Sequence, residues 1–139
     1  MDLNAIIDSC AQECGIATCV YAEIGEANVL LDNIDDYPVL LRLFQGAIYE
    51  ADNGLDGFVR RDLTLYFYDN LGIVEADTAT KVAPTAERMI SLAMRFIAAL
   101  RRTGIDVVVR AIRPAAGNNY DAILAGAQCD LTVTYNAIC

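Results

Sequence analysis

The chain has 139 residues, 55% of them hydrophobic, and carries a formal net charge of −9 without a single histidine. This length corresponds to one domain, which can bury roughly two thirds of the surface of its unfolded form and needs neither disulfides nor a metal to fold. The acidity argues against a nucleic-acid or membrane-surface partner held by charge alone, and the sequence has neither the ~18-residue apolar run of a membrane-spanning helix nor the basic start of a signal peptide.

A short helix and a strand are predicted first along the chain. Apolar residues recur at helical spacing from Leu3 to Cys14, and Gly15 is placed to end the helix. The next segment, Ile16–Ile24, is rich in β-branched and aromatic residues and predicts the first strand. Residues 25–37 have no clear period, which indicates a connection.

Two strands joined by a glycine-rich loop follow. The segment 38–50 begins with a proline, which is acceptable because the first residue of a strand can do without its N–H group. In the segment 58–70, Leu63, Leu65 and Phe67 fall on one face and polar or aromatic residues on the other, as in a strand. Together the two segments predict a hairpin.

The longest helix is predicted in the second half. It begins at Pro84, because proline suits the first turn of a helix. An apolar stripe runs from Met89 to Leu100, and basic residues up to Arg102 complement the negative end of the helix dipole. Gly104 supplies the stop.

Two further strands complete the pattern. The strand 105–114 contains three consecutive valines, which indicates that both of its faces are covered, as in a central position. A connection is expected over 115–128, with a turn at 117–119. The segment 129–139 alternates between apolar and polar residues and predicts the last strand.

The order of these elements predicts the fold class. Helices and strands do not alternate strictly, which is typical of an α+β domain. We expect two layers: a mostly antiparallel five-stranded sheet, with the N-terminal helix and the long helix on one face. Residues 1–139 then form a single domain, without repeats or low-complexity linkers.

The loop Glu50–Gly57, with the sequence EADNGLDG, has nearly the spacing of a calcium-binding loop. Counted from Asp52, however, position twelve of such a loop, which needs a bidentate glutamate, is Leu63. The dipeptides at 53–54 and 56–57 are typical of hairpin turns. We interpret the loop as a hairpin tip, and a metal site remains the alternative.

No residue pattern supports catalysis. Without histidine the usual base for nucleophilic chemistry is absent, and no serine or cysteine lies in a nucleophile motif. Cys10, Cys14 and Cys19 do not have the spacing of common zinc sites, so we expect buried, reduced thiols. The acidic run 32–36 indicates a charged surface rather than an acid and base pair. We therefore predict a protein that is not an enzyme and has no cofactor or metal.

Charge is divided unevenly along the chain. Residues 1–77 hold 15 acidic and 3 basic residues, a net charge of −12, whereas residues 78–139 hold 4 acidic and 7 basic residues, a net charge of +3. Halves of opposite sign suit a head-to-tail contact between copies, although acidic loops that merely come first explain the same pattern. The apolar share, above the roughly 45–50% of ordinary soluble domains, also predicts burial against a partner subunit.

The candidate interface consists of turn residues in the acidic loop and of clustered arginines. Its members are Asp52, Asn53, Gly54, Asp56, Arg60, Arg61, Arg101, Arg102, Arg110 and Arg113. The plainer alternative for the arginines is ion pairing with the acidic half of the same chain, or solvation.

Several segments and their order resemble a known family of phage proteins. These are the hairpin around DNGLDG, flanked by YPVLLRL and RRDLTLYFYD, the helix PTAERMISLAMRFIAALRR and two closing strands. The chain as a whole is similar to the small tail-terminator and tail-completion proteins of long-tailed bacteriophages.

The resemblance implies a ring, typically sixfold, that caps the growing tail tube, stops its polymerisation and receives the filled head. The implied partners are further copies of the chain, the tail tube and the head-completion proteins. The implied location is the cytoplasm of the bacterial host during assembly, and then the virion. Two alternatives stay open: another head-tail connector or tail-tube subunit, and a small acidic ligand- or metal-binding domain or enzyme.

Overall fold

The computed structural model describes residues 3–22, 36–43, 48–50, 58–71, 78–118 and 123–136. The helices and strands of this part of the chain are α1 (Leu3–Glu13), β1 (Thr18–Ala22), β2 (Val39–Leu43), β3 (Ile48–Glu50), β4 (Phe58–Asn70), α2 (Thr78–Arg102), β5 (Asp106–Asn118) and β6 (Ile123–Asn136). Two helices and a mostly antiparallel sheet confirm the predicted α+β class.

The sheet has the strand order β1-β2-β4-β6-β5. β1 runs parallel to β2, and the other described pairs are antiparallel. β3 pairs with the edge of β4 that also carries β2, so the single strand predicted over 38–50 is two strands in the structure. Residues 44–47 between them lie outside the described residues.

Both helices pack on one face of the sheet, and the main core lies between these two layers. Leu63, Leu65 and Phe67 are fully buried in it, which confirms the alternation predicted for β4. The Phe67 ring meets the Phe96 ring of α2 edge-on, with centroids 5.5 Å apart and planes inclined by 64°. This is a favoured geometry for aromatic pairs, and it fixes α2 over the middle of the sheet.

Glycines end both helices, as predicted. After α1, Gly15 has a φ of 78°, and the Ile16 N–H donates to the Ala11 carbonyl at 2.9 Å, the long bond of a Schellman motif. After α2, Gly104 has a φ of 92°, and its N–H donates to the Arg101 carbonyl at 3.1 Å. Because side chains are strained at such φ angles, the backbone conformation itself favours glycine at both positions.

The start predicted for α2 at Pro84 is wrong. The helix begins six residues earlier, at Thr78, and Pro84 lies inside it. A proline within a helix removes one backbone hydrogen bond and usually marks a helix start, but the rest of the helix can outweigh that cost. Packing of the long apolar stripe of α2 against the sheet supplies the compensation.

The last two strands are longer than predicted. The expected connection 115–128 is mostly strand, because β5 and β6 remain paired as far as Asn118 and Ile123. The turn predicted at 117–119 is therefore wrong for 117 and 118, and residue 119 lies outside the described residues. Alternation in 129–135 is confirmed, with Leu131 and Val133 fully buried.

The central position predicted for the valine strand is also wrong. β5 is an edge strand, paired only with β6 among the described strands. Val107 faces the core and is 5% exposed, whereas Val108 is 55% and Val109 37% exposed. A run of valines indicates apolar surroundings, but it does not tell whether the same chain or another molecule supplies them.

The opposite face of the sheet carries a smaller apolar cluster, formed by Val39, Leu41, Tyr68 and Leu124. The rings of Tyr66 and Tyr68 stack there, with centroids 5.6 Å apart. Gly126 pairs with Tyr68 and has no room for a side chain, because a Cβ would lie 1.7 Å from the Phe67 carbonyl oxygen. β4 and β6 can approach so closely only with glycine at this position.

Candidate functional site

The four turn residues of the candidate interface, Asp52, Asn53, Gly54 and Asp56, lie outside the described residues. The structure places the six arginines on β4, at the end of α2 and on β5. They do not form one cluster. Arg60 and Arg61 are neighbours on β4, so they point to opposite faces of the sheet.

Arg60 is exposed on the face of the sheet opposite the helices, in register with Thr134 of β6. Arg61 is half-buried on the face that the helices cover, and its Nε has no hydrogen-bond partner. The adjacent spacing in the sequence therefore does not produce a joint site.

The arginines at the end of α2 bind acceptors of their own chain. Arg101 donates to the Val107 carbonyl at 3.0 Å, which ties the helix to the start of β5. Arg102 pairs with Glu13 of α1 at 2.5 Å. Both side chains of that pair are more than half exposed, so the pair contributes little to stability.

The arginines of β5 have neighbouring acceptors on β6. Arg110 lies where the register of the two strands shifts, and it donates to the Leu131 carbonyl at 3.3 Å. Arg113 pairs with Asp130 at 2.5 Å. Among the described residues, only Arg102 of these four pairs with an acid of the first half. Arg101 and Arg110 donate to backbone carbonyls, and Arg113 pairs with an acid of the second half.

Asp130 is the centre of a small group of polar side chains on the face of the sheet opposite the helices. Burial opposes its ionisation, but hydrogen bonds from Gln128 and Arg113 and the positive charge of Arg113 outweigh burial and lower the pKa of the carboxyl. Thr64 also donates to Asp130, at 3.3 Å. The carboxylate is therefore charged at neutral pH and positions Arg113.

A polar cluster that the sequence did not indicate joins α1 to β1 and β2. Arg42 is 2% exposed, donates to the Oδ1 of Asn4 and lies over the Tyr21 ring, with 5.6 Å from the guanidinium carbon to the centroid. Burial and the positive charge of Arg61 lower the pKa of Arg42. Its Nε has no hydrogen-bond partner.

Tyr21 connects this cluster to α1. Its hydroxyl donates to the Oδ1 of Asp8 at 2.6 Å and lies 3.0 Å from the Asn4 carbonyl. Burial and the hydrogen bond to Asp8 raise the pKa of the phenol, so it stays protonated. The cluster therefore links α1 to β1 and β2. The only hint in the sequence is a single arginine within the apolar run VLLRL.

The described cysteines are protonated thiols. Cys10 and Cys129 are buried, as expected, whereas Cys14 and Cys19 are half-buried. Burial raises the pKa of Cys19 to about 12 and that of Cys129 to about 11, and it also raises the pKa values of Cys10 and Cys14. Thiols of this kind are poor nucleophiles at neutral pH.

No group of three or more Cys, Asp or Glu side chains is placed to hold a metal ion in the described part of the chain. The alternative metal site at 50–57 falls largely outside that part. The described side chains thus offer neither an activated nucleophile nor a set of metal ligands, and two surfaces remain as candidates for function.

The first candidate surface is the edge strand β5, with its exposed valines. The register shift after Val109 and the proline at 114 both interrupt regular pairing along this edge. Val108 and Val109 lie before these interruptions, on a stretch where another strand or an apolar surface can approach.

The second candidate surface is a cleft of about 680 Å³. Its walls are α2, the segment that follows α1, the residue before β2 and the end of β4. Cys14, Pro38, Met89 and Leu92 supply apolar surface. The charged residues of its rim are Asp69, Glu87, Arg88 and Arg95. No sequence motif marks this cleft, because its walls come from four separate segments of the chain.

Comparison with known proteins adds no relative. No protein-family model matches the chain, and no curated protein matches it significantly. No described helix is both long and apolar enough to cross a membrane.

Proposed function

We propose that this protein is a structural assembly protein of a phage or prophage virion: a tail terminator whose copies form a ring that caps the tail tube and joins it to the head. The observation that carries the proposal is the pair of exposed valines on the edge strand β5. Val108 and Val109 are 55% and 37% exposed at an edge where soluble proteins usually avoid apolar side chains.

A ring provides a use for such an edge. A contact between two different surfaces of identical subunits repeats around an axis and forms a ring when its rotation closes, so that each copy covers the edge of the next. The interruptions of β5 at Val109/Ala111 and at Pro114 limit the length over which a second strand can pair. A short contact of this kind suits a closed assembly better than a growing fibre.

The division of charge supports the same proposal. The acidic residues of the first half and the basic residues of the second half would provide opposite charges for a contact between different faces of neighbouring copies. A capping ring also needs no reaction centre, in agreement with the described thiols, whose pKa values burial raises.

The assembly state tests the proposal. Size-exclusion chromatography with light scattering and electron microscopy should find a discrete ring. Filaments would instead favour a tail-tube subunit, and a monomer at about 100 µM would contradict the proposal, because ring interfaces of ordinary size hold at that concentration.

Substitution of the valines tests the surface. The double substitution Val108→Thr with Val109→Thr keeps β-branched residues but removes methyl groups from the edge, so it should shift the ring toward monomer. Met94→Thr is the matched control, because Met94 is 59% exposed on a different element, α2. The control should leave the ring intact and both variants folded.

Deletion of the gene in a phage tests the biological role. In a phage that carries this gene, deletion should give filled heads without tails and tail tubes of excessive length in electron micrographs. Tails of normal length attached to heads would contradict the terminator role.

A further inference from the structure

The cleft beside α2 has a charge pattern that the contacts among the described residues do not complete. Arg88, Arg95 and Arg102 are seven residues apart on α2, so they lie on one side of the helix at intervals of about 10 Å. Arg88 pairs with Asp69 at 3.5 Å, and Arg102 pairs with Glu13 at 2.5 Å. The outer two arginines of this row are therefore neutralised by acids of the first half.

The middle arginine is different. Arg95 is exposed, lines the cleft, and makes neither a hydrogen bond nor an ion pair with another described residue. Its positive charge lowers the pKa of Cys14, against the larger effects of burial and of Glu13, and both residues line the cleft. Glu87 and the Arg88–Asp69 pair lie toward the other end, two helical turns away.

Among the described residues, the cleft thus offers one cation without an acidic partner beside apolar surface. Cys14, Pro38 and Leu92 would contact an inserted chain, and Arg95 would bind a carboxylate carried by it. The exposed residues Ser91 and Gly15 are small, so the approach to Arg95 is not blocked by a large side chain.

We infer that this cleft receives an acidic segment from residues 1–77 of a second copy of the chain, with its carboxylate bound by Arg95. The choice of a second copy follows from charge: that half carries 15 acidic residues against 3 arginines, and two of its acids already bind the neighbouring arginines of the same row. Because the cleft and the acidic segment belong to different parts of the chain, the contact is head-to-tail, which is the type that forms a ring when its rotation closes. The inference rests on the proposed assembly and specifies one of its contacts.

Cys14 makes the contact observable, because its thiol lines the cleft. A chain with Cys19→Ser and Cys139→Ser keeps Cys14 as its accessible thiol, while Cys10 and Cys129 are buried. A benzophenone maleimide is attached at Cys14, and this chain is assembled with an excess of isotope-labelled, unmodified chain. After irradiation, mass spectrometry should find Cys14 joined to labelled peptides from residues 1–77.

Charge reversal provides the second measurement. Arg95→Glu should weaken association of the subunits about tenfold or more, measured by light scattering over a dilution series, because it places two carboxylates together. Arg95→Lys is the matched control, since it keeps the charge and should retain most of the association. Circular dichroism melting at a concentration below that of assembly should be unchanged in both variants, because Arg95 is exposed and has no partner within the described chain.

The outcomes separate this inference from the proposed function. A ring that is insensitive to Arg95→Glu, or whose crosslinks come only from residues 78–139 or from the same chain, overturns the inference and leaves the ring intact. A monomer in every variant overturns the proposed function and, with it, this contact. Labelled peptides from residues 1–77 together with a weakened Arg95→Glu ring establish the contact.

Discussion

The centre of the sheet and its β5 edge use similar residues for different purposes. In the pair β4–β6, residues such as Leu63 and Leu131 are fully buried, and Gly126 allows a backbone approach that excludes any side chain. On β5, neighbouring valines differ tenfold in exposure, from 5% for Val107 to 55% for Val108. The apolar character of a residue therefore does not by itself show whether the residue lies in the core. Packing fixes the centre, whereas the edge keeps apolar surface that folding does not use.

The largest expected effect is at the centre. Gly126→Ala should lower the free energy of unfolding by about 3 kcal/mol, because the new Cβ would collide with the Phe67 carbonyl and neither backbone can move freely. Denaturation with urea measures this change. Gly104→Ala is the control: its φ of 92° is strained for alanine but the space is open, so a cost of about 1 kcal/mol is expected. Equal costs would contradict the close-approach argument.

A comparison of two neighbours on β5 tests the boundary between core and edge. Val107→Ala should cost about 2 kcal/mol, because it removes buried methyl groups and leaves a cavity against the core. Val108→Ala should change the stability of the monomer by less than about 0.5 kcal/mol. Thermal melts at a concentration below that of assembly check this pair. A large loss from Val108→Ala would mean that the edge belongs to the core.

The burial of Arg42 predicts which of two substitutions in its cluster destabilises the fold more. Asn4→Ala should destabilise the fold by about 1–2 kcal/mol, because the buried guanidinium loses an acceptor. Arg42→Met should cost less than Asn4→Ala, or even stabilise the fold, because it removes the buried charge and leaves an apolar side chain of similar length. Urea denaturation of both variants decides the order, and a larger loss for Arg42→Met would show that the cation itself is needed.

The smallest expected effect is the pH dependence at Asp130. The pKa of this carboxyl is lowered in the folded state, so the ionised carboxylate adds to the free energy of unfolding. This stabilisation is complete above the pKa of an unfolded aspartate, ~3.9, and is lost as the pH falls through the lower pKa of the folded state. Asp130→Asn should therefore reduce stability at pH 6 but change it less at pH 3. Urea denaturation at the two pH values measures the difference, and the same loss at both would contradict the role of the charge.

Local patterns predicted the parts of this fold that local forces determine. The alternation of Leu63, Leu65 and Phe67 identified a strand with one buried face, and Gly15 and Gly104 identified helix ends, because period and positive φ are properties of short segments. The α+β class followed from the order of these elements.

The features that were missed depend on distant parts of the chain. The edge position of β5 and the parallel pairing of β1 with β2 are set by how the sheet assembles, so no short segment carries them. The six candidate arginines were chosen by clustering in sequence, and the structure separates them. Arg42 and Arg95 were not among them, because the burial of one and, among the described residues, the missing acidic partner of the other become visible only in the folded chain.

The position of β6 has a consequence for synthesis on the ribosome. It is the last of the described strands to emerge, yet it lies between β4 and β5, and its partners in β4 precede it by 54 to 78 residues. The nascent chain cannot complete its sheet before this segment leaves the exit tunnel, and contacts of such long sequence separation form slowly. Until then β4 exposes an unpaired edge, so premature termination before β6 would release a chain that depends on chaperones to avoid aggregation.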